Sequence, residues 1–223
     1  KNRSEHDGRK QLIEEFCRCV RAMLPKRVML ENVPGLIDHH RFTKLIRSLT
    51  EAGYELRHEV LDVREFGVPQ RRKRLILLGS LEGKPGIARR RQKNITVRDA
   101  IGKLPQAGAS GDPLHDLQER RSEKVMALLH AIPLDGGSRT DLPKSMRLKC
   151  HQETDGFNDV YGRMAWDDVA PTITGGCHNP SKGRFIHPIH HRAITLREAA
   201  ILQGFPARYK FDVSHGKEAI ALM

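Results

Sequence analysis

Cysteine is scarce in this chain: four in 223 residues, Cys17, Cys19, Cys150 and Cys177. That is too few to staple a disulfide scaffold, and it fits a reducing compartment. Aromatic residues make up only 5%, which counts against a surface that stacks single-stranded bases on successive rings. No apolar run approaches the roughly 20 residues that a membrane helix requires. The first residues carry no charged-then-apolar secretion signal, and no repeat or low-complexity tract is present. Acid is in the minority, with 27 Asp and Glu against 39 Lys and Arg and a formal net charge of +12. What remains is a globular chain long enough for one good core and a smaller module. Its charge favours polyanionic partners, because neutralising phosphates releases condensed counterions.

The apolar pattern then divides the chain. Leu12, Ile13, Phe16, Val20, Met23 and Leu24 recur at helical spacing over residues 9–24, ending at Pro25. Cys17 and Cys19 fall on or beside that stripe and are expected to pack there. "RVMLENV" predicts a short buried strand broken by Pro34-Gly35. Phe42, Leu45, Ile46 and Leu49 mark a second amphipathic helix closed by Gly53. "YELRHEVLDV" and "RLILLGS" predict two strands around the turn "FGVPQ". This order is that of an α/β sheet. In such sheets ligands bind beyond the carboxyl ends of strands, which singles out Glu31, Asn32 and Val33 by position.

Residues 83–98 are basic, and "TVRDAIGKLP" predicts a short helix. Between 106 and 190 glycine, proline, aspartate, histidine and serine rise and periodicity fades, as in a loop-rich module. At "TLREAAILQGFP" helical order returns, with Thr195 and Glu198 spaced as a capping box and Gly204 at the end. The expected domains are therefore 1–105, 106–190 and 191–223. Cys150-His151 and Cys177-His178 offer four zinc-type ligands. Adjacent residues in extended chain face opposite sides, however, and no Cys-x-x-Cys spacing supports a site.

"ENVPGL" (31–36), "FGVPQRRKRLILLG" (66–79) and "RAITLREAAILQGFP" (192–206) occur in that order, with a variable segment between the second and third. Together they resemble the DNA cytosine-5 methyltransferase family. "GRMAWDDVAPTITGGCHNPSKGRFIHP" looks like the target-recognition segment of a bacterial subgroup of it. The likeness implies part of a Rossmann-like S-adenosylmethionine-dependent methyltransferase sheet, 1–105 being the C-terminal half of the catalytic domain. It makes 106–190 the target-recognition module and 191–223 a helix returning to the catalytic domain.

The family's reaction, as the resemblance implies it, starts with a cytosine flipped out of the duplex. A cysteine thiolate adds to carbon 6, an acid near ring nitrogen 3 draws electrons to that side, and carbon 5 takes the methyl group of S-adenosyl-L-methionine. Loss of a proton and of the cysteine completes it. By resemblance Glu31 is the acid and Arg74 of the Gln-x-Arg-x-Arg pattern (Gln70, Arg72, Arg74) bonds cytosine oxygen 2. Arg72 helps hold the active-site loop, and a guanidinium suits both tasks because its planar fork stays charged. Arg71 and Lys73 are the outward alternates. Arg192, Thr195, Arg197 and Glu198 brace the recognition module. Arg163, Thr172, Thr174, Asn179, Ser181, Lys182 and Arg184 are the candidates for meeting bases or phosphates.

No cysteine in this chain follows a proline, as the family's nucleophile does, and the glycine-rich cofactor turn is not found. The chain is thus expected to be inactive alone. An N-terminal catalytic half, on the same or another polypeptide, would complete it and supply most of the S-adenosyl-L-methionine site. Double-stranded DNA is the expected partner, and the bacterial cytoplasm, beside the nucleoid, the expected place. A modification enzyme of a restriction-modification system is the expected type, with no membrane role. A catalytically silent DNA-binding fragment and a transfer-RNA cytosine methyltransferase branch are the other readings.

Overall fold

The structure is a computed structural model and describes residues 11–117, 120–152 and 158–211. The chain separates into two compact units, one of 1–66 with 73–90 and the other of 67–72 with 91–223. The expected helix start at residues 9–10 and the end of the expected 191–223 segment, from 212 onward, lie outside the described residues.

In the first unit, α1 (Leu12–Met23) has Glu14 and Glu15 in its first turn and Arg21 in its last, charges that suit the helix dipole. It stops at Leu24, in left-handed conformation at φ 44°, just before a proline that cannot continue the hydrogen-bond ladder. Then come β1 (Arg27–Asn32), α2 (His40–Glu51), β2 (Glu55–Asp62) and β3 (Lys73–Ser80). Gly53, at φ +91°, makes the turn out of α2 as glycine does most easily.

The sheet has three strands in the order β1-β3-β2. β3 is antiparallel to both neighbours, with Met29 opposite Leu78 and Arg57 opposite Leu78. This is an α/β unit with a small antiparallel sheet. The element order alone does not reveal the insertion of β3 between β1 and β2. A parallel pair needs a long crossover, which α2 supplies from β1 to β2, whereas the short turn at 63–72 delivers β3 antiparallel. As the central strand, β3 is apolar on successive residues rather than alternating, which is why "RLILLGS" carries no period-two signal.

Both helices cover one face. Val20 of α1 and Phe42, Leu45 and Leu49 of α2 are buried with Leu75 and Leu77, and Val28, Leu30, Leu56 and Val60 pack around them. Each such side chain removed from water contributes on the order of 1.5–3 kcal/mol. Cys17 is half-buried in the same cluster, its thiol donating to Ser48 Oγ at 3.1 Å. The alternate residues of β1, with Glu31 among them, face the other way.

The second unit holds α3 (Val97–Ile101), α4 (Pro113–Asp116), α5 (Glu123–Ala131) and α6 (Leu196–Leu202), with loops and single turns between. Val97 and Ile101 share a core with Met164, Ala170, Ile173, Ile194 and Leu202. Residues 91–105 pack within this unit. Side chains bonded to backbone do much of the work that ladders do elsewhere. Asp116 accepts from the backbone N–H groups of Gly108, Ser110 and Gly111. Those bonds, led by Ser110, hold its carboxyl down to about 2.

Candidate active site and nucleic-acid interface

Glu31 stands opposite Ile76 in the β1–β3 register. Arg74, two residues earlier on β3, is therefore its diagonal neighbour on the same face. Arg74 Nε donates to Glu31 Oε1 at 2.7 Å, with the Arg74 side chain 20% exposed and that of Glu31 47%. Arg74 Nη1 also donates to the Lys73 carbonyl at 2.7 Å. The cation is thus held from two sides, while the carboxylate it orients stays accessible. Just beyond, Asn32 Oδ1 accepts from the Val33 N–H at 2.8 Å and the chain turns through Pro34–Leu36. Asn32 shapes the exit from the strand.

Within the second unit, buried Gln70 donates through Nε2 to the Leu202 carbonyl at 3.3 Å and accepts from the Ile173 N–H at 3.0 Å. It ties the 67–72 turn to α6 and to the expected recognition segment. Arg71 is exposed and meets Asp168 at 3.1 Å, while Arg72 is half-buried. Exposure alternates from Arg71 to Arg74, with Lys73 outward.

The seven residues expected to meet DNA separate by accessibility. Thr174 and Lys182 are exposed, and Asn179 and Ser181 half-buried beside them. Asn179 Oδ1 caps the Pro180–Lys182 turn by accepting from Ser181 N–H and Oγ. Thr172 is half-buried and its hydroxyl donates to the Arg71 carbonyl at 2.7 Å. Arg184 Nη1 donates inward to the carbonyls of Gly136 and Arg163, both at 2.9 Å. Arg163 departs from expectation. It is 0% exposed, and its guanidinium is shared among the carbonyls of Pro133, His187, His190, Leu129 and Ile132. A side chain sealed in the core in this way braces the fold and has no surface to offer a phosphate. Nothing in its sequence neighbourhood distinguishes it from an exposed arginine.

The third motif forms a buried brace. Arg192 donates to both oxygens of Glu198 at 2.7 Å, and Thr195 and Glu198 complete the capping box of α6. Burial alone would raise the Glu198 carboxyl, but the Arg192 fork outweighs it and the net direction is downward. Arg197 pairs with Asp112 and donates to the Tyr209 carbonyl at 2.8 Å. His187 is buried against Glu198, with Nε2 3.7 Å from its carboxylate. His187 Nδ1 accepts the N–H groups of Ile189 and His190 at 3.3 and 3.2 Å, so the proton of the neutral ring sits on Nε2. Desolvation lowers this group from 6.5 to about 3, and protonating Nδ1 would also break both bonds.

The folded value thus lies below the unfolded one. Stability is full above about pH 6.5, and as pH falls towards 3 the unfolded chain takes up the proton first. A loss of about 2 kcal/mol between pH 6.5 and pH 5 is expected from this one group. Denaturant midpoints at the two pH values measure it, and His187→Asn should flatten the dependence. An equally steep profile in that variant assigns it to other groups.

Among the described residues no three His, Cys, Asp or Glu side chains converge as a metal ion requires. Cys150 is exposed and Cys177 buried. Among the described residues no helix is long and apolar enough to cross a membrane.

The first unit carries a carboxylate–guanidinium pair at the end of a strand, and the second exposes Thr174 and Lys182. The family model for C-5 cytosine-specific DNA methylases matches residues 1–222, and the chain belongs to that family. It is 38% identical over 213 residues to the Type II methylase M.HgiDII of Herpetosiphon aurantiacus, covering 90% of this chain and 60% of that protein. To the Type II methyltransferase M1.BsuMI of Bacillus subtilis (strain 168) it is 32% identical, covering 92% and 49%. The chain spans about half to three-fifths of the length of these relatives. A DNA modification methyltransferase encoded within an E. coli prophage superposes with a TM-score of 0.60 at 24% identity, covering 96% of this chain and 69% of that one. The Entamoeba histolytica methyltransferase EhMeth gives 0.52 at 16% identity, covering 88% and 56%. Those two likenesses concern the fold.

Proposed function

We propose that this chain is the C-terminal part of a bacterial DNA cytosine-5 methyltransferase of the restriction-modification type, acting on a flipped cytosine in a specific duplex sequence. The observation that carries the reading is the Glu31–Arg74 pair, 2.7 Å apart at the end of β1, in a chain that matches the family over 1–222. Glu31 holds the proton for cytosine ring nitrogen 3. Arg74 orients that carboxylate and offers its remaining donor capacity to oxygen 2. Arg72 holds the loop, while Thr174, Asn179, Ser181 and Lys182 meet DNA, with Thr172 supporting them.

The methyl donor of the reaction is S-adenosyl-L-methionine. The turn that leaves β1 does not fit a site for it. The turn after β1 is Pro34–Leu36, and its proline has no N–H to offer where a cofactor loop presents free amides. The nucleophilic cysteine and the cofactor turn are supplied by residues outside these 223, through a catalytic half that extends the sheet into a Rossmann-like arrangement. The outer edge of β1 supports this, being unpaired among the described residues. Met29 and Val33, 61% and 57% exposed, flank Glu31 there, and an open apolar edge strand is a natural site for further pairing. The enzyme would work in the cytoplasm, at the nucleoid.

Tritiated-methyl transfer to duplex DNA tests the reading. The 223-residue chain alone is expected to transfer none, and addition of a Pro-Cys-containing N-terminal half from a relative to restore transfer. Turnover by the chain alone would reveal another nucleophile. The chain should nevertheless bind duplex DNA, with affinity falling steeply as salt rises. Binding that stays flat from low to moderate salt contradicts the phosphate contacts.

A further inference from the structure

The loop expected to read DNA is tied to the fold by an arginine that belongs to no motif. Cys177 is buried in the core, and the Pro180 carbonyl accepts the Tyr161 N–H at 2.7 Å. Between these two anchors the chain is held by Arg121, from the segment leading into α5. Its Nη2 donates to the His178 carbonyl at 2.7 Å and its Nη1 reaches Asn179 Oδ1 at 3.4 Å. The latter oxygen is the one that caps the Pro180–Lys182 turn, so a single guanidinium grips both the backbone and the capping side chain.

Arg121 is half-buried and directs these donors inward at the loop. A planar fork can serve two acceptors at fixed geometry, which a lysine ammonium cannot do as well. Base readout depends on side chains held in one arrangement, whereas attraction to phosphates tolerates many. A loop ordered before binding loses less freedom on the DNA than one ordered by it.

From these contacts we propose that Arg121 is a positioning residue for sequence recognition, fixing residues 178–182 so that Asn179, Ser181 and Lys182 present a single reading surface. The inference rests on the reading of that loop as DNA-facing. Its signature is a loss of discrimination without a loss of electrostatic attraction.

The test selects duplexes from a pool randomised over a central stretch, using the 223-residue chain, and measures affinity for the best and for random duplexes across a salt series. The parent is expected to enrich one motif. Arg121→Ala should lower the ratio of best to random affinity roughly tenfold, the worth of one charged hydrogen bond. The salt slope should stay unchanged, and Arg121→Lys should fall between. An unchanged ratio in Arg121→Ala overturns the proposal. So does a slope reduced by about 0.9, the value of one phosphate contact, with the motif intact. If Arg121→Ala fails to fold, Arg121→Lys decides on the same two readouts. A fall in stability with parallel weakening on all duplexes shows a structural role only and also overturns it. Lys182→Ala separates the underlying reading: if its affinity and slope match the parent, or if the parent enriches no motif, the loop does not read DNA and the inference falls with it.

Discussion

Replacing Glu31 by glutamine is expected to lower turnover of the completed enzyme by on the order of 10²–10⁴, the range that general acid catalysis supplies. The substitution keeps the volume and one acceptor for Arg74 Nε, now 2.7 Å from Glu31 Oε1, but removes the transferable proton. Arg74 should hold its place, because it also donates to the Lys73 carbonyl. DNA affinity should change far less, since phosphate contacts elsewhere dominate it. Single-turnover methylation and a binding titration on the same variant make the comparison. Methylation at the parent rate would place the acid elsewhere. A parallel loss of binding and turnover would make Glu31 a residue that merely holds the strand end.

Where a residue's role follows from local order, the sequence was readable. The helical stripe with Phe42, Leu45 and Leu49 became the buried face of α2, and the Thr195–Glu198 spacing became a capping box. Exposed Lys73 next to half-buried Arg74 at the start of β3 follows from strand alternation. Long-range pairing was not readable. The position of β3 between β1 and β2 depends on which strand a short turn can reach, which no local pattern encodes. The assignment of 91–105 to the second unit depends on where Val97 and Ile101 find apolar partners. Asp112, Gln70 and Arg121 make long-range bonds across 57 to 132 residues of sequence. Arginine gives the least warning, since its ordinary place is at the surface and its burial is visible only when acceptors assemble around it.

Arg163 is the extreme case, and Arg163→Met is expected to cost about 3–5 kcal/mol, as breaking a buried charged contact does. Its Nη2 reaches the carbonyls of Leu129 at 3.0 Å and Ile132 at 3.5 Å, the end of α5, where helix carbonyls lack internal partners and a cation suits the dipole. Nη1 holds the His187 and His190 carbonyls at 2.7 and 2.6 Å, and Nε holds Pro133 at 3.2 Å. Burial lowers the guanidinium to about 10, so it stays charged at neutral pH. Methionine matches its length but donates nothing, and each carbonyl left without a partner away from water costs roughly 1–3 kcal/mol. A loss of that size is a large part of the 5–15 kcal/mol that holds a typical domain together. Denaturant titration should show it, with faster hydrogen exchange at the end of α5 and in the 187–191 turn. DNA affinity should weaken only to the extent that the second unit unfolds. A phosphate-binding arginine would behave in the opposite way: the midpoint would hold and the salt slope would fall by about 0.9. That result would return Arg163 to the DNA surface.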